Sequence, residues 1–323
     1  MAAAKLRIAI RKGDTSHHRA CASMLWALAK LHDRLPMASL KPVLLDAVKL
    51  SAPCMDHQQI VNVAWASAAM HLSKPELEDL FTTVLPRLAH LVPSMNCQDV
   101  SNSIWCVAKM RDDLPGLLDL LPQLAARVKA VVREMEGQNI SNIVWSAAEL
   151  RQVSTELFPL INILTERLVE VYTMHNKTVS MMPQVVSNTV WAVAKLKEYV
   201  PPPASHVESL AQMAAEMGDV SYTAQQCANV VWAFGKLELS MQAISPLMRK
   251  LCERALRIAP EFQSDPQNIS NFCWGLANTG WKDAAALDTL TKAMMKAVRG
   301  KQGKMVQLEL SSLVWAHAKL GVT

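Results

Sequence analysis

Apolar residues recur at three- and four-residue steps along almost the whole chain, and short polar turns separate one such stretch from the next. This spacing is typical of amphipathic α-helices that bury one side. Alternating patterns that would indicate β-strands are few, and only 10 glycines occur among 323 residues. The pattern therefore predicts an all-α protein.

One helical stretch recurs with the same polar and apolar positions. It reads QNISNIVWSAAEL at residues 138–150 and QVVSNTVWAVAKL at residues 184–196, and weaker copies occupy 19–31 and 308–320. A fixed period near 40 residues is typical of stacked helical repeats. We therefore predict an α-solenoid of about seven to eight helical-hairpin repeats with a period near 41 residues, stacked with a right-handed sense. The tryptophans that mark the copies are Trp26, Trp65, Trp105, Trp145, Trp191, Trp232, Trp274 and Trp315.

Each repeat divides into two helices. The first, called the motif helix, runs from the Gln to the residue five places past the Trp, and a second amphipathic helix follows a short turn. Pro183 and Pro266 suit the first position of a helix, where a missing N–H costs nothing. Second helices are predicted at 76–91, 115–132, 156–171, 204–217, 244–258 and 284–298. The residues nine places before the Trp predict N-caps at Asp56, Asn96, Thr223 and Asp265.

The chain lacks low-complexity linkers and breaks in composition, so residues 18–323 are predicted to form one repeat array. The last repeat is predicted to be incomplete, because the sequence ends just after its motif helix. Either the sequence is part of a longer protein, or an unpaired helix caps the array. The long interval between Trp145 and Trp191 is assigned to extra residues at 174–182, between helices. Residues 1–17 are predicted to be an N-terminal basic segment, with some character of an organellar transit peptide, or part of an upstream repeat.

The composition excludes few classes of function. A net charge of +5 permits an anionic partner without requiring one. The seven cysteines are odd in number and form no C-x-x-C pair, so we expect reduced, buried thiols in a protein that is not secreted. No charge-free run of 18 apolar residues occurs, and we expect no membrane partner.

Polar positions of the motif helix fall together on one side of a helical wheel. Counted from the Trp, these are Gln at −7, Asn at −3, the usual Ser at −4 and the residue at +4. Stacked repeats would align them in one stripe. A row of lysines about 10 Å apart can follow a nucleic-acid backbone, although a solvated face is an equal alternative. The lysines at +4 are Lys30, Lys109, Lys195, Lys236 and Lys319.

Asparagine is a poor residue inside a helix, so its recurrence needs a reason. One reason is a buried ladder of amides that bond neighbouring repeats. The other is hydrogen bonding to base edges, and the Gln at −7 has the same two interpretations. The Asn residues are Asn62, Asn102, Asn142, Asn188, Asn229 and Asn271.

The tryptophan is expected to fill the core between stacked helices, with stacking on an unpaired base as the alternative. Positions −6 and −4 vary from copy to copy, and a reader of one base per repeat needs two or three variable side chains. Both positions are therefore candidates for base specificity. At −6 the candidates are Gln59, Asp99, Asn139, Gln226 and Asn268.

Signals of catalysis are missing from the sequence. It contains no Walker A loop, no G-x-G-x-x-G, no H-E-x-x-H and no G-x-S-x-G. His17 and His18 have no companion ligands, so we predict no metal site. We expect a protein that is not an enzyme and that uses no cofactor and no small-molecule substrate.

The pattern Q-x-x-S/A-N-x-x-W-A-x-A-K-L, repeated about every 40 residues and followed by a second helix, resembles the octotricopeptide repeat. It is equally similar to heptatricopeptide-like and RAP-associated repeats of organelle proteins, some of them in mitochondrial RNA-editing substrate-binding complexes. The resemblance covers essentially the whole chain. It implies an α-solenoid that binds single-stranded organellar RNA in a mitochondrion or plastid. Such proteins act in RNA stability, processing, editing or translation, alongside other RNA-processing proteins.

The residues allow a second class of function. A HEAT- or armadillo-like scaffold for protein–protein interaction, cytoplasmic or organellar, would use the same architecture. Binding of a protein partner in its apolar groove would not depend on salt, whereas RNA binding weakens steeply as the salt concentration rises.

Overall fold

The computed structural model describes residues 17–31, 40–174, 183–217, 222–239, 241–300 and 307–322. These residues form sixteen α-helices and short 3-10 segments without any strand, which confirms the all-α prediction. Residues 1–16 of the basic segment and residues 175–182 of the predicted insertion at 174–182 lie outside the described residues. The motif helices are α1 (His18–Leu31), α3 (His57–Ala69), α5 (Cys97–Met110), α7 (Gly137–Leu150), α9 (Pro183–Leu196), α11 (Ala224–Leu237), α14 (Pro266–Thr279) and α16 (Gln307–Leu320).

The second helices alternate with the motif helices along the chain, as the sequence predicts. They are α2 (Lys41–Ser51), α4 (Lys74–Leu91), α6 (Leu121–Val131), α8 (Ile161–Met174), α10 (Ala204–Glu216), α12 (Met241–Arg257) and α15 (Ala284–Gly300), with the short α13 (Ala259–Phe262) before α14.

Two predicted second helices start later than expected. Residues Pro115–Leu120 and Phe158–Leu160 are 3-10 segments, and the α-helices begin only after them. Pro115 is the first residue of one segment, and Pro159 lies within the other.

The predicted N-caps of the motif helices are confirmed. The Asp56 carboxylate accepts a hydrogen bond from Gln59 N at 2.9 Å, and Asn96 Oδ1 accepts one from Asp99 N at 2.9 Å. Thr223 caps α11 in the same way. Asp265 caps α14 through the amide of Gln267 at 3.1 Å, with Pro266 at the first helical position. Each cap satisfies an amide that the first turn leaves without a helical partner.

The chain divides into two compact units, Met1–Met135 with Glu149–Leu160, and Glu136–Ala148 with Ile161–Thr323. Within the first unit, α1 contacts α3 and α3 contacts α5, while α2 contacts α4. Within the second unit, α9, α11, α14 and α16 contact one another in succession, and so do α8, α10, α12 and α15. In both units, motif helices therefore pack on motif helices and second helices on second helices, with the apolar core between the two layers.

Glycine permits the closest approach between motif helices. A Cβ added to Gly275 would collide with the Val231 carbonyl and lie 2.7 Å from Trp232 N. A Cβ added to Gly235 would lie 3.0 Å from Gly275 Cα. The backbones of α11 and α14 are therefore in contact here, and only a residue without a side chain fits at position 275.

A repeated arginine joins the two layers. Arg87 Nε donates to Met55 O at 2.8 Å, and Arg127 Nε donates to Met95 O at 2.6 Å. In the second unit, Arg254 Nε donates to Tyr222 O at 2.8 Å. Each acceptor directly precedes the N-cap of a motif helix, so the arginine of a second helix fixes the position where the motif helix begins.

Candidate functional site

The tryptophans of the motif helices lie at the surface of their layer and keep part of each ring open to solvent. Trp65, Trp105, Trp145, Trp191, Trp232 and Trp274 are half-buried. Trp26 and Trp315 are exposed, at 41% each. The prediction of a core tryptophan is therefore wrong for these two and only partly right for the six others. The core beneath them consists of smaller apolar residues at the neighbouring positions of the motif helix.

Several neighbouring tryptophans lie against each other within each unit, most of them stacked. The ring centroids of Trp26 and Trp65 are 6.3 Å apart, and those of Trp65 and Trp105 are 6.4 Å apart. In the second unit, Trp274 lies 5.9 Å from Trp232 and 6.5 Å from Trp315, with interplanar angles of 29° and 23°. Trp26, Trp65 and Trp105 thus form one row of partly open rings in the first unit, and Trp232, Trp274 and Trp315 form another in the second unit.

The lysines at +4 lie over these rings. Lys30 Nζ is 4.4 Å from the centroid of Trp65 and 5.5 Å from that of Trp26. Lys195 Nζ lies within 5.3 Å of Trp191 and 5.1 Å of Trp232. A cation above an aromatic face is held there by the ring quadrupole, for about 0.5–1 kcal/mol at an exposed site. The ammonium groups are thereby kept beside the aromatic surface.

Lys109 and Lys319 repeat this geometry, at 5.6 Å from Trp105 and 4.7 Å from Trp315. Lys319 also donates to Asn278 Oδ1 at 2.9 Å. The Lys236 ammonium instead lies 3.9 Å from the Glu198 carboxylate. Three copies have no lysine at this position, and in one of them Glu149 lies 3.8 Å from Arg111. Five of the eight motif helices therefore carry a lysine along this edge.

The amide side chains complete one stripe per helix. All six Gln residues at −7 are exposed, and all six Asn residues at −3 are half-buried. In α7, Gln138 Nε2 donates to Asn142 Oδ1 at 2.9 Å, one helical turn further on. The half-burial of the Asn residues contradicts a fully buried amide ladder. We call the surface formed by the Gln, Asn, Trp and Lys positions the tryptophan face.

Three of the five candidates for base specificity at −6 form hydrogen bonds that cap the start of a motif helix. Gln59 Nε2 donates to the Asp56 cap at 2.7 Å, and Gln226 Oε1 accepts from Thr223 N at 3.0 Å. Asn139 Oδ1 accepts from Glu136 N at 3.2 Å. Such contacts cap the first turn of a helix. A helical wheel does not reveal this role, because it shows direction around the helix but not distance from its N-terminus.

Burial removes the remaining candidates from the surface. Asp99 is 4% exposed, and its Oδ2 atom accepts a hydrogen bond from His57 Nδ1 at 2.6 Å. Asn268 is 8% exposed. The −4 position is buried in every strong copy, from Val61 to Ser270, so its expected place on the polar face is wrong. The residues at this position are Val, Ala or Ser, which are small or apolar enough for a buried, close-packed site.

A pocket of about 210 Å³ opens at one end of the tryptophan face of the second unit. Its lining combines aromatic rings with polar groups from α14 and α16. One of these groups, the Glu309 Oε2 atom, is closed to solvent and has no hydrogen-bond partner within the described part of the chain. Sequence reasoning missed Glu309, although it stands at −6 in the last copy. The pocket is lined by Trp232, Gln267, Ser270, Asn271, Trp274, Leu308, Glu309 and Ser312.

The buried thiols are protonated at neutral pH. Burial raises the pKa of Cys227 and Cys273 to about 12, and it also raises those of Cys21, Cys106 and Cys252. These five are buried, as predicted, whereas Cys97 is half-buried and Cys54 is exposed. All seven are free thiols.

Among the described residues, no group of three or more His, Cys, Asp or Glu side chains could hold a metal ion. None of the described helices is both long enough and apolar enough to cross a bilayer. No protein-family model and no curated protein that was compared with the chain matches it.

Proposed function

We propose that this protein binds single-stranded RNA along the tryptophan face. One observation carries the proposal: half-open tryptophan rings stack in rows, and lysine ammonium groups lie over them. Proteins that bind unpaired nucleic acid combine aromatic rings, on which bases stack, with positive charge that follows the phosphates. Exposed amides of Gln and half-buried amides of Asn beside the rings offer both donors and acceptors to base edges.

The proposal assigns a role to each position of the stripe. Bases stack on the open parts of the tryptophans, and phosphates meet Lys30, Lys109, Lys195, Lys236 and Lys319. The Asn and Gln amides contact base edges. Most of the −6 side chains are assigned no contact with RNA, because they cap helices or are buried.

The resemblance of the repeat to octotricopeptide-type proteins extends this proposal. The two-layer packing within each unit is compatible with an α-solenoid of seven to eight hairpins. A solenoid of this class would act as a non-enzymatic RNA-binding protein in a mitochondrion or plastid, in RNA stability, processing, editing or translation. A protein-interaction scaffold is the competing function, and the charged aromatic surface favours RNA over it.

A charge-reversal triple variant tests the proposal. Lys109, Lys195 and Lys236 are changed together to Glu, and binding of fluorescent single-stranded RNA of random sequence is measured by anisotropy at several salt concentrations. The matched control changes three exposed lysines of second helices, Lys74, Lys129 and Lys296, to Glu. Both variants therefore differ from the wild type by the same net charge. Both variants should keep their helical circular-dichroism signal.

The two variants should then separate. The motif-helix variant should lose binding, and the control should keep it with the salt dependence of the wild type. Equal binding by the motif-helix variant and the wild type would overturn the role of the lysines. Wild-type binding that does not weaken as salt rises would favour the scaffold instead.

A further inference from the structure

The pocket between α14 and α16 is a concave part of the tryptophan face that contains the Glu309 carboxylate. Trp232 and Trp274 supply its aromatic side, and Gln267 and Asn271 supply amides. Its volume of about 210 Å³ exceeds that of one planar base. The pocket can therefore take a single base turned out of the strand.

Glu309 gives this pocket a chemical preference. Its Oε2 atom is closed to solvent and has no hydrogen-bond partner among the described residues. A buried acceptor without a donor is unfavourable, more so when it is charged. The terminal torsion of a glutamate is soft, so the carboxylate can turn both oxygens toward a ligand. A ligand that brings donors would satisfy the carboxylate.

Among the four RNA bases, guanine matches a carboxylate best. Its N1–H and N2–H₂ groups lie side by side and can donate to the two carboxylate oxygens together. Adenine and cytosine present one amino group next to a ring nitrogen acceptor, and uracil presents one N–H between two carbonyls, so each would set an acceptor against the carboxylate. The O6 and N7 acceptors of guanine are suited to donors such as the Asn271 and Gln267 amides.

We propose that this pocket is a guanine-selective subsite at one end of the RNA path, with Glu309 as its specificity-determining residue. The proposal rests on RNA binding by the tryptophan face and adds a base preference at one position. Trp274 offers the guanine ring a stacking surface. Glu309 accepts from N1–H and N2–H₂.

The first test uses RNA selected from a random pool by the wild-type protein. The selected sequences should share a guanine at one fixed position. Inosine at that position lacks the N2 amino group and should weaken wild-type binding by about 5- to 100-fold, the range for losing a good bidentate base contact. This measurement needs no variant, so a folding defect cannot obscure it.

The second test uses E309Q, whose amide opposes one donor of guanine with its own NH₂ group. E309Q should bind the guanine and inosine RNAs almost equally. The control E253Q makes the same charge change at an exposed glutamate of α12 and should keep the wild-type preference.

The outcomes separate the two proposals. Wild-type protein that binds no RNA would overturn the proposed function and this subsite with it. Wild-type protein that binds RNA without a fixed guanine, or E309Q that retains the full penalty for inosine, would overturn the subsite alone.

Discussion

The ammonium group of Lys30 lies 4.4 Å from the ring centroid of Trp65, a residue of the next motif helix. The contact joins two helices that are neighbours in space but are separated by a whole second helix in sequence. It also fixes a positive charge over a ring that remains partly open. One side chain therefore contributes both to packing between repeats and to the surface that we propose for RNA.

The tryptophan rows should contribute directly to RNA affinity. Trp65→Ala removes a ring that lies between two others, and stacking of a base on an aromatic ring contributes about 1–3 kcal/mol. We expect affinity for single-stranded RNA to fall by about 5- to 100-fold, while Trp65→Phe keeps most of it. Trp281, which lies outside the motif helices, is the control: its change to Phe should leave affinity unaltered. Similar binding by Trp65→Ala and the wild type would contradict the stacking role.

Gly275→Ala should destabilise the second unit. The new Cβ meets the backbone of Val231 and Trp232, and backbone cannot move aside cheaply. We expect the free energy of unfolding to fall by about 1–3 kcal/mol, the usual cost of overpacking, measured by urea denaturation. Gly116→Ala is the control, because a Cβ there meets nothing within 4 Å. If Gly275→Ala is as stable as the wild type, α11 and α14 do not touch through their backbones.

The arginines that join the two layers should contribute to the stability of the fold but not to RNA binding. Arg127→Met keeps the apolar stem but leaves the Met95 carbonyl without its donor. An unsatisfied buried acceptor costs about 1–3 kcal/mol, so the urea midpoint should drop. Arg133→Met, at an exposed position, should change stability by less than about 0.5 kcal/mol. A loss of RNA binding in a folded Arg127→Met variant would show that this side chain has a second role.

Alkaline pH should destabilise the fold through the buried thiols. In the native state the pKa of Cys273 is raised to about 12 by burial, whereas the ordinary value is 9.0. Between these values the unfolded chain holds fewer protons than the native chain, so the free energy of unfolding falls as pH rises. Urea denaturation at pH values on either side of about 9 measures this slope. Cys273→Ala should reduce the slope, and Cys54→Ala, at an exposed thiol, should not.

The helical architecture could be predicted because local signals and tertiary packing agree. N-cap residues such as Asp56 lie where the period requires a helix to begin, and the structure confirms their hydrogen bonds. The predicted starts of the second helices were less accurate near Pro115 and Pro159, because short 3-10 segments precede the α-helices there and the apolar period does not distinguish the two helix types over so few residues. Arginines at 87, 127 and 254 also recur at one distance from the tryptophan, a signal that was present but was not used.

The candidate site was harder to predict than the helices. A helical wheel gives direction around one helix, but it does not show how closely the next helix approaches. For this reason Ser101 and Ser141 were placed on the polar face and are buried, whereas Trp315 was placed in the core and is exposed. Glu309 belongs to a weak copy of the motif, and only its position in the pocket between α14 and α16 distinguishes it.

The central claim is that the tryptophan face binds single-stranded RNA, and crosslinking in the native cells tests it most directly. RNA crosslinked to the protein would be sequenced, and the crosslinked peptides would be identified by mass spectrometry. We predict enrichment of one or a few organellar transcripts that share a short unpaired motif, with crosslinks on the tryptophan-bearing segments of motif helices. RNA that matches background, or crosslinks confined to second helices while protein partners co-purify in fixed ratio, would contradict the account.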